Sequence, residues 1–132
     1  MTAQGEDILA WLERAIATRE KTALSADQGT WTATHEGYEE WDASVGTSTG
    51  GAVANCNIED ADHIALNDPE SVLRRCTADR KLIAEHGPCS DQDLGCKGCG
   101  FNNQEESMVD HYEECPVLCA LAEGYGWTEG ER

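Results

Sequence analysis

Apolar side chains recur along the first stretch of the chain at helical intervals. Ile8, Leu9, Leu12, Ala15 and Ile16 fall on one face and Glu13, Arg14, Arg19 and Glu20 surround the other, so residues 6–24 read as an amphipathic helix. A polar turn follows at 25–29, and from 30 to 55 the helical period disappears. There Trp31, Thr32, Thr34, Tyr38, Trp41, Val45 and Val53 are broken by glycines at 37, 46, 50 and 51. This is the pattern of two or three short antiparallel strands in a hairpin or meander, with 47–51 as the most mobile loop.

Helical spacing returns at Ile58 and runs to Asn67. Asp68 is then placed to cap a second helix, because its side chain can accept a free backbone N–H and Pro69 suits the first helical position. Val72, Leu73, Cys76, Leu82 and Ile83 carry that helix to about His86, where Gly87-Pro88 stops it. Residues 87–107 are irregular and rich in cysteine, glycine and asparagine. Cys115-Pro116 starts a last short helix through Ala122, and the tail from Gly124 reads as acidic and frayed. No internal repeat or coiled-coil heptad is present. The expected fold is a small single α+β domain over 1–132. Residues 1–86 form a helix–sheet–helix part, 87–123 a zinc-knuckle part and 124–132 a flexible acidic tail.

Composition narrows the function. Only 39% of the 132 residues are apolar, so a core of this size is marginal and gains from a staple. Nine basic residues against 26 acidic ones give −17, which argues against direct nucleic-acid binding and against docking on anionic membranes. No apolar run reaches membrane-spanning length. The opening Met-Thr-Ala-Gln-Gly-Glu-Asp lacks the basic, then greasy, pattern of a signal peptide, so a cytoplasmic location is expected.

The chain has seven cysteines, an odd number, five of them between 89 and 119. Clustering of this kind in a cytoplasmic chain points to metal rather than to a disulfide framework. Cys96-Lys97-Gly98-Cys99-Gly100 is a knuckle, in which two thiolates and nearby backbone N–H groups face one ion and the glycines allow the tight turn. Cys115, after fifteen intervening residues, is a third ligand. The fourth is open. His86 gives His-x9-Cys-x2-Cys-x15-Cys, His111 gives Cys-x2-Cys-x11-His-x3-Cys, and Cys119 and Cys89 are further options. His86 is preferred, because Pro116 disfavours helical geometry at Cys115 and His86 would tie the long helix to the knuckle. Soft thiolates with one imidazole favour zinc, and four filled positions mean a single structural ion with no place for catalytic water. Iron–sulfur ligation lacks a matching spacing.

The remaining candidates are weaker. Cys76 sits among helix core positions as a small hydrophobe, and Cys56 follows a strand. His63 in Asp60-Ala61-Asp62-His63 lacks a second histidine cluster, and His35 stands alone. The pairs Glu39-Glu40, Glu105-Glu106 and Glu113-Glu114 are what any acidic surface carries. Arg74, Arg75, Arg80 and Lys81 form a solvated basic helix face. No nucleophile elbow, phosphate loop or dinucleotide fingerprint occurs.

The run from Asp60 through His63-Ile64-Ala65 and Asp68-Pro69 to Val72-Leu73-Arg74 resembles the signature of a family of small actinobacterial and actinobacteriophage proteins, domain of unknown function 6221. Similar too are the helix end Arg80-Lys81-Leu82-Ile83-Ala84-Glu85-His86, the Cys96 to Cys99 pair and the late segment Cys115 to Ala122. The resemblance supports His86, since the helix-ending histidine belongs to the pattern. It speaks against Cys119, which stands where members carry a basic residue. It implies an accessory protein of phage or host and no activity.

Three functions are therefore weighed. A non-enzymatic, zinc-stapled binding role comes first: a phage-encoded accessory protein that binds a host protein. An acidic nucleic-acid mimic that blocks a host DNA- or RNA-binding factor is the alternative. An uncharacterised enzyme comes last, because the residues offer neither an open metal position nor a paired base and nucleophile.

Overall fold

In the computed structural model, which describes residues 7–35 and 43–128, Asp7 opens the first helix. Its Oδ1 accepts the N–H of Ala10 at 2.8 Å, satisfying a donor that has no partner within the helix. Helix α1 spans Ile8–Ser25. Three short strands follow, β1 (Trp31–His35), β2 (Ala43–Thr47) and β3 (Ala52–Cys56), in an antiparallel sheet of order β1-β2-β3. Trp31 pairs with Thr47 and His35 with Ala43, while Ala43 pairs with Cys56. Between Val45 and Gly46 the register slips, so that Val53 is the extra residue of a bulge. The expected strand residues Tyr38 and Trp41, with the pair Glu39-Glu40, lie outside the described residues.

The loop expected to be the most mobile is tied down. Thr49 Oγ1 donates to Asp27 Oδ1 at 2.9 Å, and Ser48 N–H donates to Thr30 O at 2.9 Å. Gly50, at φ 94°, supplies the left-handed turn that closes the hairpin.

Asn57 caps helix α2 (Ile58–Leu66) by accepting the N–H of Asp60. Asp68 caps helix α3 (Pro69–Glu85) as its sequence position implies, accepting the N–H of Ser71 at 2.9 Å. Its other oxygen accepts the N–H of Trp31 at 3.3 Å, so one carboxylate starts a helix and fixes the first strand. Helix α4 spans Pro116–Gly124, with proline in its first turn.

Among the described residues the architecture is α+β, four helices with a three-stranded antiparallel sheet, as the pattern predicts. Two compact units divide the chain, residues 18–76 and residues 1–17 with 77–132. In the first, α2 packs on the sheet around buried Ala43, Val45 and Ala61, with Trp31, Val53 and Ile64 at the margin. In the second, Ile8, Leu12, Tyr112, Leu118 and Ala122 pack with Cys96 and Cys115. Each fully buried leucine there contributes about 1.5–3 kcal/mol.

That second core extends past Ala122, where a frayed tail was expected. Tyr125 O–H donates to Asp79 Oδ2 at 2.6 Å, and Trp127 packs against Trp11 with ring centroids 5.3 Å apart. Residues 129–132 lie outside the described residues.

Candidate metal centre

The centre is built where α3 ends. His86 follows its last residue, and the His86 N–H still donates to Leu82 O and Ile83 O. Gly87-Pro88 turns the chain away, and the return strand pairs Cys96 with Pro88 and sends the Lys97 N–H to Gly87 O at 3.1 Å. A single 3-10 turn over Lys97–Cys99 follows, and Gly100 leaves it at φ 84°. A hairpin then forms, with Phe101 paired to Ser107 and Glu105 at φ 65° in its turn. The chain comes back through Val109, whose carbonyl accepts the Cys96 N–H at 3.2 Å. Cys115 is extended, at φ −60° and ψ 123°, as the residue before a proline prefers.

Four side chains converge. Nδ1 of His86 lies 3.4 Å from Cys96 Sγ, 3.4 Å from Cys115 Sγ and 3.9 Å from Cys99 Sγ. Cys99 and Cys115 sulfurs are 3.6 Å apart, far beyond a disulfide bond, and all four donor atoms lie within 4.8 Å of one another. Cys96 and Cys115 are fully buried, whereas Cys99 is partly exposed. This set can hold a metal ion.

The knuckle polarises one thiol. Burial pushes Cys96 up, but hydrogen bonds from Cys99 and Cys115 and from the N–H groups of Cys99 and Gly98 outweigh it and lower its pKa. Cys99 moves the other way, to about 12, through burial and the neighbouring sulfurs. Three sulfurs this close repel as thiolates unless a cation lies among them.

Two glycines serve different ends. Gly100 adopts a backbone region that side chains avoid, whereas Gly98 is there for closeness. A Cβ at Gly98 would sit 2.7 Å from His86 Nδ1 and 2.8 Å from its Cε1, and closer still to Glu85 O. The sequence marks both as turn glycines and gives no sign that Gly98 passes over the imidazole.

The other candidates are engaged elsewhere. His111 Nδ1 accepts the N–H of Glu113 at 3.2 Å, and its ring stacks on Tyr112. His111 thus caps the 3-10 turn over Tyr112–Glu114, and this runner-up candidate is not among the four converging side chains. Cys119 Sγ donates to Glu113 O at 3.4 Å, and the Cys89 N–H donates to Gly95 O. Neither joins the cluster, which is the sole one of its kind among the described residues. His35 Nε2 meets Asp62 Oδ1 at 3.1 Å, Arg74 pairs with Glu70, and Arg80 pairs with Glu13. Sequence reasoning missed the support from Tyr112, whose O–H donates to Asp7 Oδ2 at 2.7 Å. Burial first, and then that carboxylate, push the Tyr112 hydroxyl up to about 12, so it stays a donor.

Fold and site together define a small α+β protein with a Cys3His cluster able to hold a metal ion. The chain belongs to a family of unknown function (DUF6221), whose model matches residues 5–126. No curated protein and no solved structure matches it. No helix among the described residues is long and apolar enough to cross a membrane.

Proposed function

We propose that the chain is a non-enzymatic accessory protein, stapled by one structural zinc ion on His86, Cys96, Cys99 and Cys115. The spacing of the donor atoms carries this reading. With Zn–S near 2.3 Å and Zn–N near 2.0–2.1 Å, a regular tetrahedron has edges of about 3.8 Å between sulfurs and about 3.6 Å between sulfur and nitrogen. The 3.6 Å between Cys99 and Cys115 sulfurs and the 3.4, 3.4 and 3.9 Å to His86 Nδ1 scatter about those lengths. Three soft thiolates with one imidazole select zinc over magnesium or calcium, and a closed set of four protein ligands is that of a structural ion.

Zinc would join the end of α3 to the start of α4 across the irregular residues 87–114. Sites of this kind contribute on the order of 10 kcal/mol in finger peptides. The protein acts by binding a host protein, and the resemblance to actinobacteriophage chains supports a phage-encoded role in the host cytoplasm. Its charge of −17 makes a basic partner surface the best match, which also favours the second reading, a mimic that occupies a nucleic-acid-binding groove.

Native mass spectrometry of protein purified without added metal, with elemental analysis, tests the core of the proposal. One zinc per chain, lost together with helicity on chelation, is expected. A compact fold free of metal would overturn it.

A further inference from the structure

The centre is unevenly shielded. Cys96 and Cys115 have no exposed surface, whereas Cys99 is partly exposed. Its neighbours are Gly98 and Gly100, and a Cβ on Gly100 would meet nothing within 4 Å. Of the three cysteines, Cys99 is therefore the one with surface open to solvent. Its sulfur stands 3.6 Å from that of Cys115, so closing a disulfide of about 2.05 Å needs a movement of about 1.5 Å. The region has few regular elements to resist such a change: between Glu85 and Pro116 the described chain contains two single 3-10 turns and two isolated bridges.

We infer that the centre is a peroxide-sensitive release switch, in which Cys99 is the point of attack and Cys115 the resolving thiol. This rests on the zinc reading above. The Cys99 thiolate attacks one oxygen of hydrogen peroxide, the O–O bond breaks, hydroxide leaves, and a sulfenic acid forms. The Cys115 thiolate then attacks the Cys99 sulfur, the S–O bond breaks, and a second hydroxide leaves as the disulfide forms. Two thiolates lose two electrons in all, and one peroxide gains them as two hydroxides. The ion loses two of its four ligands and is released. The join between the end of α3 and the start of α4 is lost with it. Reduction by a small thiol restores both thiolates and the site.

The occupant of the switch can be followed without any activity assay. Zinc-loaded full-length protein is treated with hydrogen peroxide while a chromophoric chelator reports free zinc. Digestion with trypsin and a glutamate-specific protease then separates Cys96 from Cys99, since cleavage follows Lys97 and Glu105. Cys115 stays with Cys119 on one peptide, so the Cys119→Ser variant is run in parallel to tell them apart. The expected result is one zinc released per disulfide, a Cys99–Cys115 cross-link in both proteins, and reloading after reduction. Zinc retained while Cys56 or Cys89 oxidises would overturn the switch and leave the zinc reading standing. A cross-link lost in Cys119→Ser, or one joining Cys96 to Cys99, would overturn the assignment of Cys115. Protein that carries no zinc at the start would overturn both readings at once.

Discussion

Gly98→Ala isolates the closeness of the knuckle to the end of α3. The added methyl would lie 2.7 Å from His86 Nδ1 and 2.8 Å from Cε1, inside the distances that real Cβ atoms keep. It also meets Glu85 O, a backbone atom that cannot rotate away. Relief requires the imidazole to move, and the imidazole is one of four converging donors. Overpacking of this type costs about 1–3 kcal/mol. For a chain of this length that lowers Tm by about 3–15 °C. Displacing a ligand costs zinc affinity as well, about 10- to 100-fold by analogy with residues that orient metal ligands. Gly124→Ala is the control, because its Cβ meets nothing within 4 Å and it closes helix α4. Its Tm should stay level or rise slightly. Differential scanning calorimetry gives the first quantity, and competition against a chromophoric chelator gives the second. Gly98→Ala with wild-type Tm and wild-type zinc affinity would show that the knuckle does not pass over His86.

Cys96→Ser and Cys115→Ser should each abolish stoichiometric zinc and unfold the C-terminal third, whereas Cys56→Ser and His111→Ala should retain one zinc per chain by elemental analysis; equal loss in all four would sink the ligand set. Tyr125→Phe removes a 2.6 Å hydrogen bond to Asp79, which is 3% exposed, and should cost about 1–3 kcal/mol in urea unfolding. Asp68→Ala should cost about 0.5–2 kcal/mol at neutral pH through loss of the α3 cap. Hydrogen bonds from the Ser71 hydroxyl and then the Ser71 N–H hold the Asp68 pKa below its ordinary 3.8. A lowered folded pKa stabilises fully above 3.8 and is lost as pH falls through the folded value, so the wild-type advantage over Asp68→Ala should shrink in urea midpoints taken from pH 5 downward. Chelation should raise amide exchange first across residues 87–114, and uniform acceleration along the whole chain would count against a local staple.

What could be read from the sequence was local. Asp68-Pro69 announces a helix start because cap and first-turn chemistry act within four residues. Cys96 and Cys99 announce a knuckle because their spacing alone brings two sulfurs to one side. The preference for His86 over His111 rested on the extended backbone that Pro116 imposes on Cys115, and Cys115 is extended at ψ 123°. The rest depends on residues far apart along the chain. Nothing near Tyr125 announces Asp79, forty-six positions away, and nothing near Tyr112 announces Asp7. The acidic, glycine-bearing stretch around 124–127 reads as a frayed tail because its anchors, Tyr125 and Trp127, find partners only in three dimensions. The bulge at Val53 is hidden for a similar reason, since a register slip leaves the composition of a strand unchanged.

The core of residues 1–17 and 77–132 explains why such a chain would need an ion. Two of its seven buried members are Cys96 and Cys115, so the groups that fill the core are also donors. As thiols they are small hydrophobes that pack. As thiolates they are buried charges, tolerable only around a cation. The same chain carries 26 acidic residues against nine basic ones, and that self-repulsion opposes compaction throughout. A larger hydrophobic core could offset it, but the region between α3 and α4 places large apolar side chains outward, with Phe101 and Met108 more than half exposed. A metal ion would compensate where apolar area does not: it would neutralise thiolate charge at the point of greatest burial and fix residues 87–114 without α-helix or extended sheet. Some carboxylates already serve the fold, Asp7 as a cap, Asp27 at the hairpin loop and Glu13 beside Arg80, so the staple would offset the repulsion among the rest.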